Sequence, residues 1–220
     1  MAKNKFNKSW MNRHLRDPYV RQAQKEKYRS RAAYKLKEID SAHQILKSGQ
    51  LVVELGISPG SWAQYAVRKL GYDTQGKVKG ELIGIDMLPM ENIPGVVFLL
   101  GDFTEEASLQ QLLDKLGGRK VDVILSDMAP NLSGIAAVDG ARMAHLLDRV
   151  LEFSRQCLKD SGAVLAKCFD GAAYNEMLVQ CRAQFRSVAR QKPDASREHS
   201  AEVYLLCKGL LPGAQALENE

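Results

Sequence analysis

The sequence predicts a doubly wound α/β domain: a mostly parallel sheet of seven strands with helices on both faces and the seventh strand antiparallel. Three observations carry this expectation. The stretch Leu51–Trp62, LVVELGISPGSW, is an apolar run that meets a carboxylate and then a turn rich in Gly and Pro. An apolar run bounded by such breakers reads as a buried strand of a parallel sheet. After it, apolar runs alternate with helix-forming stretches, the pattern of strands joined by crossover helices. Finally, three successive strands end in an acid, Asp86, Asp102 and Asp127. This places carboxylates along the edge where such sheets bind ligands.

The elements follow in order. Met1 to about Lys27 shows no sustained apolar periodicity and is expected to be flexible without a partner. Ser30 is a candidate N-cap for a helix through Arg31–Ile39, with Ala32, Leu36 and Ile39 on one face. Strand one is Leu51–Leu55, followed by a helix near Ser61–Leu70 and a Gly- and Lys-rich loop. Strand two is Glu81–Asp86 and strand three Val96–Leu100. A helix near Glu105–Leu116 precedes strand four, Val121–Ser126. A long helix, roughly Ala141–Leu158, precedes strand five, Ala163–Phe169. A helix at about Ala173–Arg182 leads to strand six, Phe185–Ala189, and a polar loop to strand seven, Ala201–Cys207. The helix-free link between the last two strands implies an antiparallel pair. The organisation expected is a basic arm over residues 1–29, one domain over 30–210 and a disordered tail over 211–220.

The 220 residues are enough for one domain with a sizeable core. No apolar run reaches the ~18 residues of a membrane helix, and no signal peptide opens the chain. The four cysteines contain no CxxC pair, which argues against a metal cage or disulfide framework and suits a reducing, cytoplasmic setting. A monomer without metal is expected. Charge is divided unevenly: residues 1–37 carry +10, while the remainder carries −5. A basic arm on an acidic body suggests a polyanionic partner. Phe6, Trp10, Tyr19, Tyr28 and Tyr34 are interleaved among its cations. That combination suits phosphate contact with base stacking on RNA. A solubilising tail or a transit peptide would share the charge, but the arm is Lys-rich and nearly lacks Ser. Tyr34 could stack on a base or simply pack.

The turn after strand one reads Gly56-Ile57-Ser58-Pro59-Gly60-Ser61. It could be an ordinary tight connection, or it could seat a nucleotide-like cofactor. Asp86 at the end of strand two is placed to accept hydrogen bonds from ribose hydroxyls. A dinucleotide would require GxGxxG, whose third glycine is missing, and Pro59 has no N–H for a pyrophosphate. S-adenosylmethionine, with adenine, ribose and an amino acid but no phosphate, fits better.

Several segments together resemble the heat-shock 23S rRNA 2′-O-ribose methyltransferases, the FtsJ-type family. They are Ser30–Leu36, Glu54-Leu55-Gly56 with Pro59-Gly60 and Trp62, Asp86–Met90 and Gly101-Asp102-Phe103. Further along they are Ser126–Asn131 with Ser133-Gly134, Lys167 before Cys168-Phe169, and Arg190 through Pro193-Asp194 to Ser200, Glu202, Val203 and Tyr204. The resemblance implies a Rossmann-like seven-stranded methyltransferase fold. It implies methylation of a uridine ribose in large-subunit rRNA, with S-adenosylmethionine as methyl donor. It carries a catalytic tetrad onto Lys35, Asp127, Lys167 and Glu202, and cofactor contacts onto Gly60, Trp62, Asp86, Asp102 and Asp127. Two positions depart from the family pattern: Ser61 replaces a Gly, which could tighten the methionine pocket, and Glu54 stands where Asp is usual.

Methyl transfer from a sulfonium to a ribose hydroxyl is an in-line displacement that needs alignment and removal of a proton. Lys167 is the candidate either for base or for orienting the hydroxyl and stabilising developing charge. Asp127 would position it. Cys168, next in the strand, points to the opposite face and reads as core. The alternatives are a methyltransferase of tRNA or an mRNA cap, and a non-catalytic RNA-binding ribosome assembly factor.

Overall fold

The computed structural model describes residues 17–197 and 200–213. The described elements run α1 (Pro18–Glu26), α2 (Ala33–His43), β1 (Leu51–Leu55), α3 (Ser61–Leu70), β2 (Glu81–Asp86), β3 (Val96–Leu100), α4 (Glu106–Leu116) and β4 (Val121–Ser126). They continue with α5 (Ala136–Cys157), β5 (Leu158–Phe169), α6 (Tyr174–Gln184), β6 (Phe185–Gln191) and β7 (Glu202–Leu210). Seven strands form one sheet in the order β3-β2-β1-β4-β5-β7-β6. Pairing is parallel from β3 through β5. β7 enters antiparallel between β5 and β6.

The side-chain period of two divides the core between the faces of the sheet. Val53, Ile83 and Ile124 belong to a cluster with Leu112 of α4, Leu147 of α5 and Met177 of α6. Their chain neighbours Val52, Leu82, Val123 and Leu125 belong to another, with Ala23 of α1, Leu36 of α2 and Trp62 of α3. Each large apolar side chain buried this way contributes about 1.5–3 kcal/mol. Leu36, Leu82, Leu112 and Ile124 are fully buried.

The structure differs from the sequence expectation at several places. The arm is not irregular up to Lys27: Pro18–Glu26 is helix. Asp17 caps it by accepting from the Tyr19 N–H, Pro18 sits in the first turn, and Val20 and Ala23 are buried. The Asp-Pro pair is the local start signal for this helix. Residues 1–16, with Phe6 and Trp10, and 214–220 of the expected tail lie outside the described residues. Ser30 does not cap a helix over Arg31–Ile39; α2 begins at Ala33 behind Ala32. The Ser30 Oγ instead accepts from the Ala32 N–H and pairs with the Ser61 hydroxyl. α5 starts five residues ahead of the expected Ala141. There Asp139 accepts from Ser133 N–H, Ser133 Oγ and Gly134 N–H, which draws the preceding loop onto the helix start. The aromatic residues of the arm that are described face inward. Tyr28 and Tyr34 are buried, with Tyr34 edge-on to Tyr28 at 5.8 Å and tilted on Tyr19 at 5.5 Å between ring centroids. Tyr34 packs, and apolar burial decides between its two sequence readings.

Candidate functional site

The carboxyl ends of β1 to β4 open onto a cavity of about 730 Å³. Gly56 and Ser58 line it after β1, Asp86–Leu88 after β2, Gly101–Thr104 after β3 and Asp127–Asn131 after β4. Ala141, Arg142, His145 and Leu146 of α5 complete the wall. Gly56 has φ +78°, and a Cβ there would stand 2.8 Å from the Met128 Cγ, so the close approach of the β1 and β4 turns requires glycine.

The three strand-end acids have separate tasks in this rim. Asp86 ties two turns together: its Oδ2 accepts from the Ser58 N–H and its Oδ1 from the Leu88 N–H, both at 2.8 Å. Each oxygen retains a second lone pair for a ligand hydroxyl. Asp102 accepts from the Thr104 N–H and hydroxyl through Oδ1. Asp127 faces both this cavity and the network described below.

Two other residues assigned to cofactor contact do not line the cavity. Gly60 starts α3 with φ +99°, and a Cβ there would lie 2.5 Å from the Ile93 Cδ1. Trp62 is buried, donates from Nε1 to the Ala32 carbonyl at 2.8 Å and stacks at a tilt on Tyr204, 5.6 Å between centroids. Both shape the turn from behind. Ser61 is also buried, with its hydroxyl 2.6 Å from that of Ser30. It is not among the cavity-lining residues.

A second, smaller cavity of about 280 Å³ is lined by Ser30, Arg31, Ala32, Lys35, Arg197, Ser200 and Glu202. Between the two cavities runs an alternating chain of charges. Lys35 Nζ is 2.6 Å from Glu202 Oε1, and Lys167 Nζ is 3.7 Å from Glu202 Oε2. Lys167 Nζ stands 2.8 Å from Asp127 Oδ1 and donates to the Asp127 carbonyl at 2.6 Å. Lys35, Asp127, Lys167 and Glu202 are thus brought together although they come from α2, the end of β4, β5 and β7. Strand pairing accounts for the convergence. Lys167 is registered with Tyr204, and Phe169 with Glu202, across the antiparallel β5–β7 pair. Side chains at opposed positions share a face. Cys168, one residue on, is fully buried in the core on the other face.

Burial by itself raises the pKa of the Glu202 carboxyl. The Lys35 and Lys167 ammonium groups outweigh that and hold it below its ordinary value. Tyr204 is a member of the network that chemical reading of the sequence missed. Its hydroxyl donates to Asp127 Oδ1 at 2.7 Å, and its ring lies 5.9 Å from Lys35 Nζ. The available signal was its position two residues from Glu202, on the same face of a strand. Beneath the network lies Glu54, 1% exposed, with Oε2 lacking a hydrogen-bond partner. Burial, then the neighbouring Asp127 and Asp86 carboxylates, push its pKa well above the ordinary range.

Comparison with known proteins bears on the family and the fold. The sequence model of the FtsJ-like methyltransferases matches residues 28–210. A protein of Janthinobacterium sp. (strain Marseille) named ribosomal RNA large subunit methyltransferase E is 52% identical over 210 residues, covering 96% of this chain and 98% of its own. The protein of the same name from Paraburkholderia xenovorans (strain LB400) is 50% identical over 216 residues, with the same coverage. Among solved structures, a Plasmodium falciparum chain described as a ribosomal RNA methyltransferase superposes with a TM-score of 0.73 at 31% identity. It covers 84% of this chain and 99% of its own. A Methanococcus jannaschii fibrillarin pre-rRNA processing protein shares the fold at a TM-score of 0.52 and 16% identity, covering 75% of this chain and 68% of its own. With the sheet order, the strand-end acids and the two-cavity network in place, the chain belongs to the FtsJ-like methyltransferase family.

Proposed function

We propose that this protein methylates the ribose 2′-hydroxyl of a uridine in the rRNA of the large ribosomal subunit, with S-adenosylmethionine as donor. The observation that carries the reading is the Lys35–Glu202–Lys167–Asp127 chain spanning the wall between two cavities. The first cavity fits the donor in kind. Ile85, Leu88, Phe103 and Leu146 offer apolar walls, Asp86 and Asp102 offer acceptors for hydroxyls, and Asp127 offers a carboxylate. Bound there, S-adenosylmethionine supplies a methyl group already activated on a sulfonium. The second cavity, with Arg31, Lys35, Arg197 and Ser200 around it, suits a nucleotide with its phosphate. The relatives named for large-subunit rRNA support the choice of substrate.

Lys167 is held between acceptors: the Asp127 carbonyl, the Asp127 carboxylate and, further off, Glu202. In this reading Lys167 orients the ribose hydroxyl and stabilises negative charge as the oxygen attacks. Asp127, steadied by the Tyr204 hydroxyl, aims Lys167. Lys35 neutralises Glu202 on the side facing the second cavity. Asp127 and Glu202 are the nearby acceptors for the departing proton. The basic arm supplies further phosphate contacts, and the enzyme works as a monomer in the cytoplasm without a metal.

The test is transfer of labelled methyl to undermethylated large subunits by wild type and Lys167→Ala. Wild type should label a ribose oxygen. The variant should keep cofactor affinity and lose about 10²–10⁴-fold in rate. Labelling of tRNA or cap RNA alone would reassign the substrate. Cofactor binding without transfer to any RNA would leave a non-catalytic assembly factor.

A further inference from the structure

At the end of the basic arm, the Arg29 side chain reaches the turn after β1 and the loop after β2, behind the residues that line the cavity of about 730 Å³. Its guanidinium donates to three main-chain carbonyls. Nη1 reaches Pro59 and Glu91, both at 2.8 Å, and Nη2 reaches Asn92 at 3.0 Å. Pro59 lies in the turn after β1, and Glu91 and Asn92 lie in the loop after β2. The cavity-facing parts of the same two segments include Ser58 and Asp86. Nη1 is also 3.0 Å from where a Cβ on Gly60 would stand, so the guanidinium is seated directly against the turn.

The main chain at Arg29 is itself fixed. Its N–H donates to Gln64 Oε1 at 2.8 Å, and the Gln64 amide donates back to the Lys27 carbonyl at 3.1 Å. The next residue, Ser30, pairs with Ser61 at the start of α3. Residues 27–30 therefore grip α3 along its first turn, while the Arg29 side chain reaches past that helix start to both turns. A planar fork of donors can bridge carbonyls from two segments at once; a single ammonium cannot hold the same spacing.

We propose that Arg29 is a positioning residue for the cofactor cavity, holding the Pro59 turn and the Glu91–Asn92 loop at the spacing that lets Ser58 and Asp86 face the ligand. The inference rests on the reading of the larger cavity as the S-adenosylmethionine site.

The experiment measures S-adenosylmethionine binding by calorimetry on the full chain, for wild type, Arg29→Ala and Arg29→Lys, with steady-state kinetics on large subunits. Arg29→Ala should bind the cofactor about ten-fold more weakly, the scale of one charge-assisted hydrogen bond. Its KM for cofactor should rise in parallel, while kcat at saturating cofactor stays within about two-fold. Arg29→Lys should recover part of the affinity, ending about three-fold below wild type. Cofactor affinity unchanged in both variants, with only the melting temperature lowered, would overturn the proposal. If Arg29→Ala does not fold, Arg29→Lys alone decides: wild-type affinity there refutes the need for a fork. Failure of wild type to bind the cofactor would instead refute the reading of the cavity, a distinct outcome.

Discussion

Replacing Glu54 with Gln tests the electrostatics under the cavity by a slope rather than by a single number. Glu54 is buried, and its Oε2 lacks a hydrogen-bond partner. Burial first, then the Asp127 and Asp86 carboxylates, push its pKa well above the ordinary 4.5. In the unfolded chain the same carboxyl ionises near ~4.3. Above that pH the unfolded state gains by losing its proton while the folded state keeps one. The native chain then binds more protons than the unfolded chain, so this group's contribution to stability falls as pH rises. For one whole proton the slope is about 1.4 kcal/mol per pH unit, and it ends where pH passes the raised native value. Gln has the same shape and no such proton. Any fixed gain or loss from placing an amide in that slot is the same at every pH and moves only the offset. The assay is urea unfolding of both proteins at a series of pH values from about 5 to about 8. With an m value of about 2–3 kcal/mol/M, the midpoint of Glu54→Gln should gain about 0.5 M on wild type per pH unit. A gap that stays constant across the series would refute a carboxyl held neutral in the fold.

Three further outcomes follow from the same contacts. Ser61→Gly removes the hydroxyl paired with Ser30 and loosens the start of α3. It should lower unfolding free energy by about 1–2 kcal/mol in urea titration. Cofactor affinity should stay within about two-fold, since the side chain does not line the cavity. Asp86→Asn leaves one acceptor where two N–H groups, of Ser58 and Leu88, are now held. Calorimetry should show S-adenosylmethionine binding weakened by about ten- to a hundred-fold. Tyr204→Phe deletes the donor to Asp127 Oδ1. It should lower kcat by about ten-fold with cofactor affinity kept, because Asp127 then aims Lys167 less well. An equal loss in cofactor binding would place Tyr204 in the cavity's architecture instead.

The sequence was most readable where local chemistry and tertiary context agree. Leu51–Leu55 is apolar because both faces of a central parallel strand are buried, and that requirement is visible residue by residue. Asp86, Asp102 and Asp127 were legible as one row because each closes a strand. The arm was misread over Pro18–Glu26, where the Asp17-Pro18 start signal opens a short helix that packs Val20 and Ala23. Its tyrosines looked like stacking platforms because sequence shows that a ring lies among cations, not which side of the ring meets protein. Gly60 and Trp62 carry the resemblance to a cofactor turn, yet their contacts are with Ile93, Ala32 and Tyr204.

Taken alone, the sequence determined the seven strands and the helices that join them, the sheet edge that carries the acids and the division of charge between arm and body. These depend on periodicity, breakers and composition, all local properties. The tertiary structure alone decided that Lys35, Asp127, Lys167 and Glu202 form one chain between two cavities, that Tyr204 joins it, and that Ser61 turns its hydroxyl to Ser30. Those facts depend on β7 entering antiparallel beside β5 and on α2 lying across that face. Distances between residues far apart in the chain are set by register and packing, which no local pattern encodes.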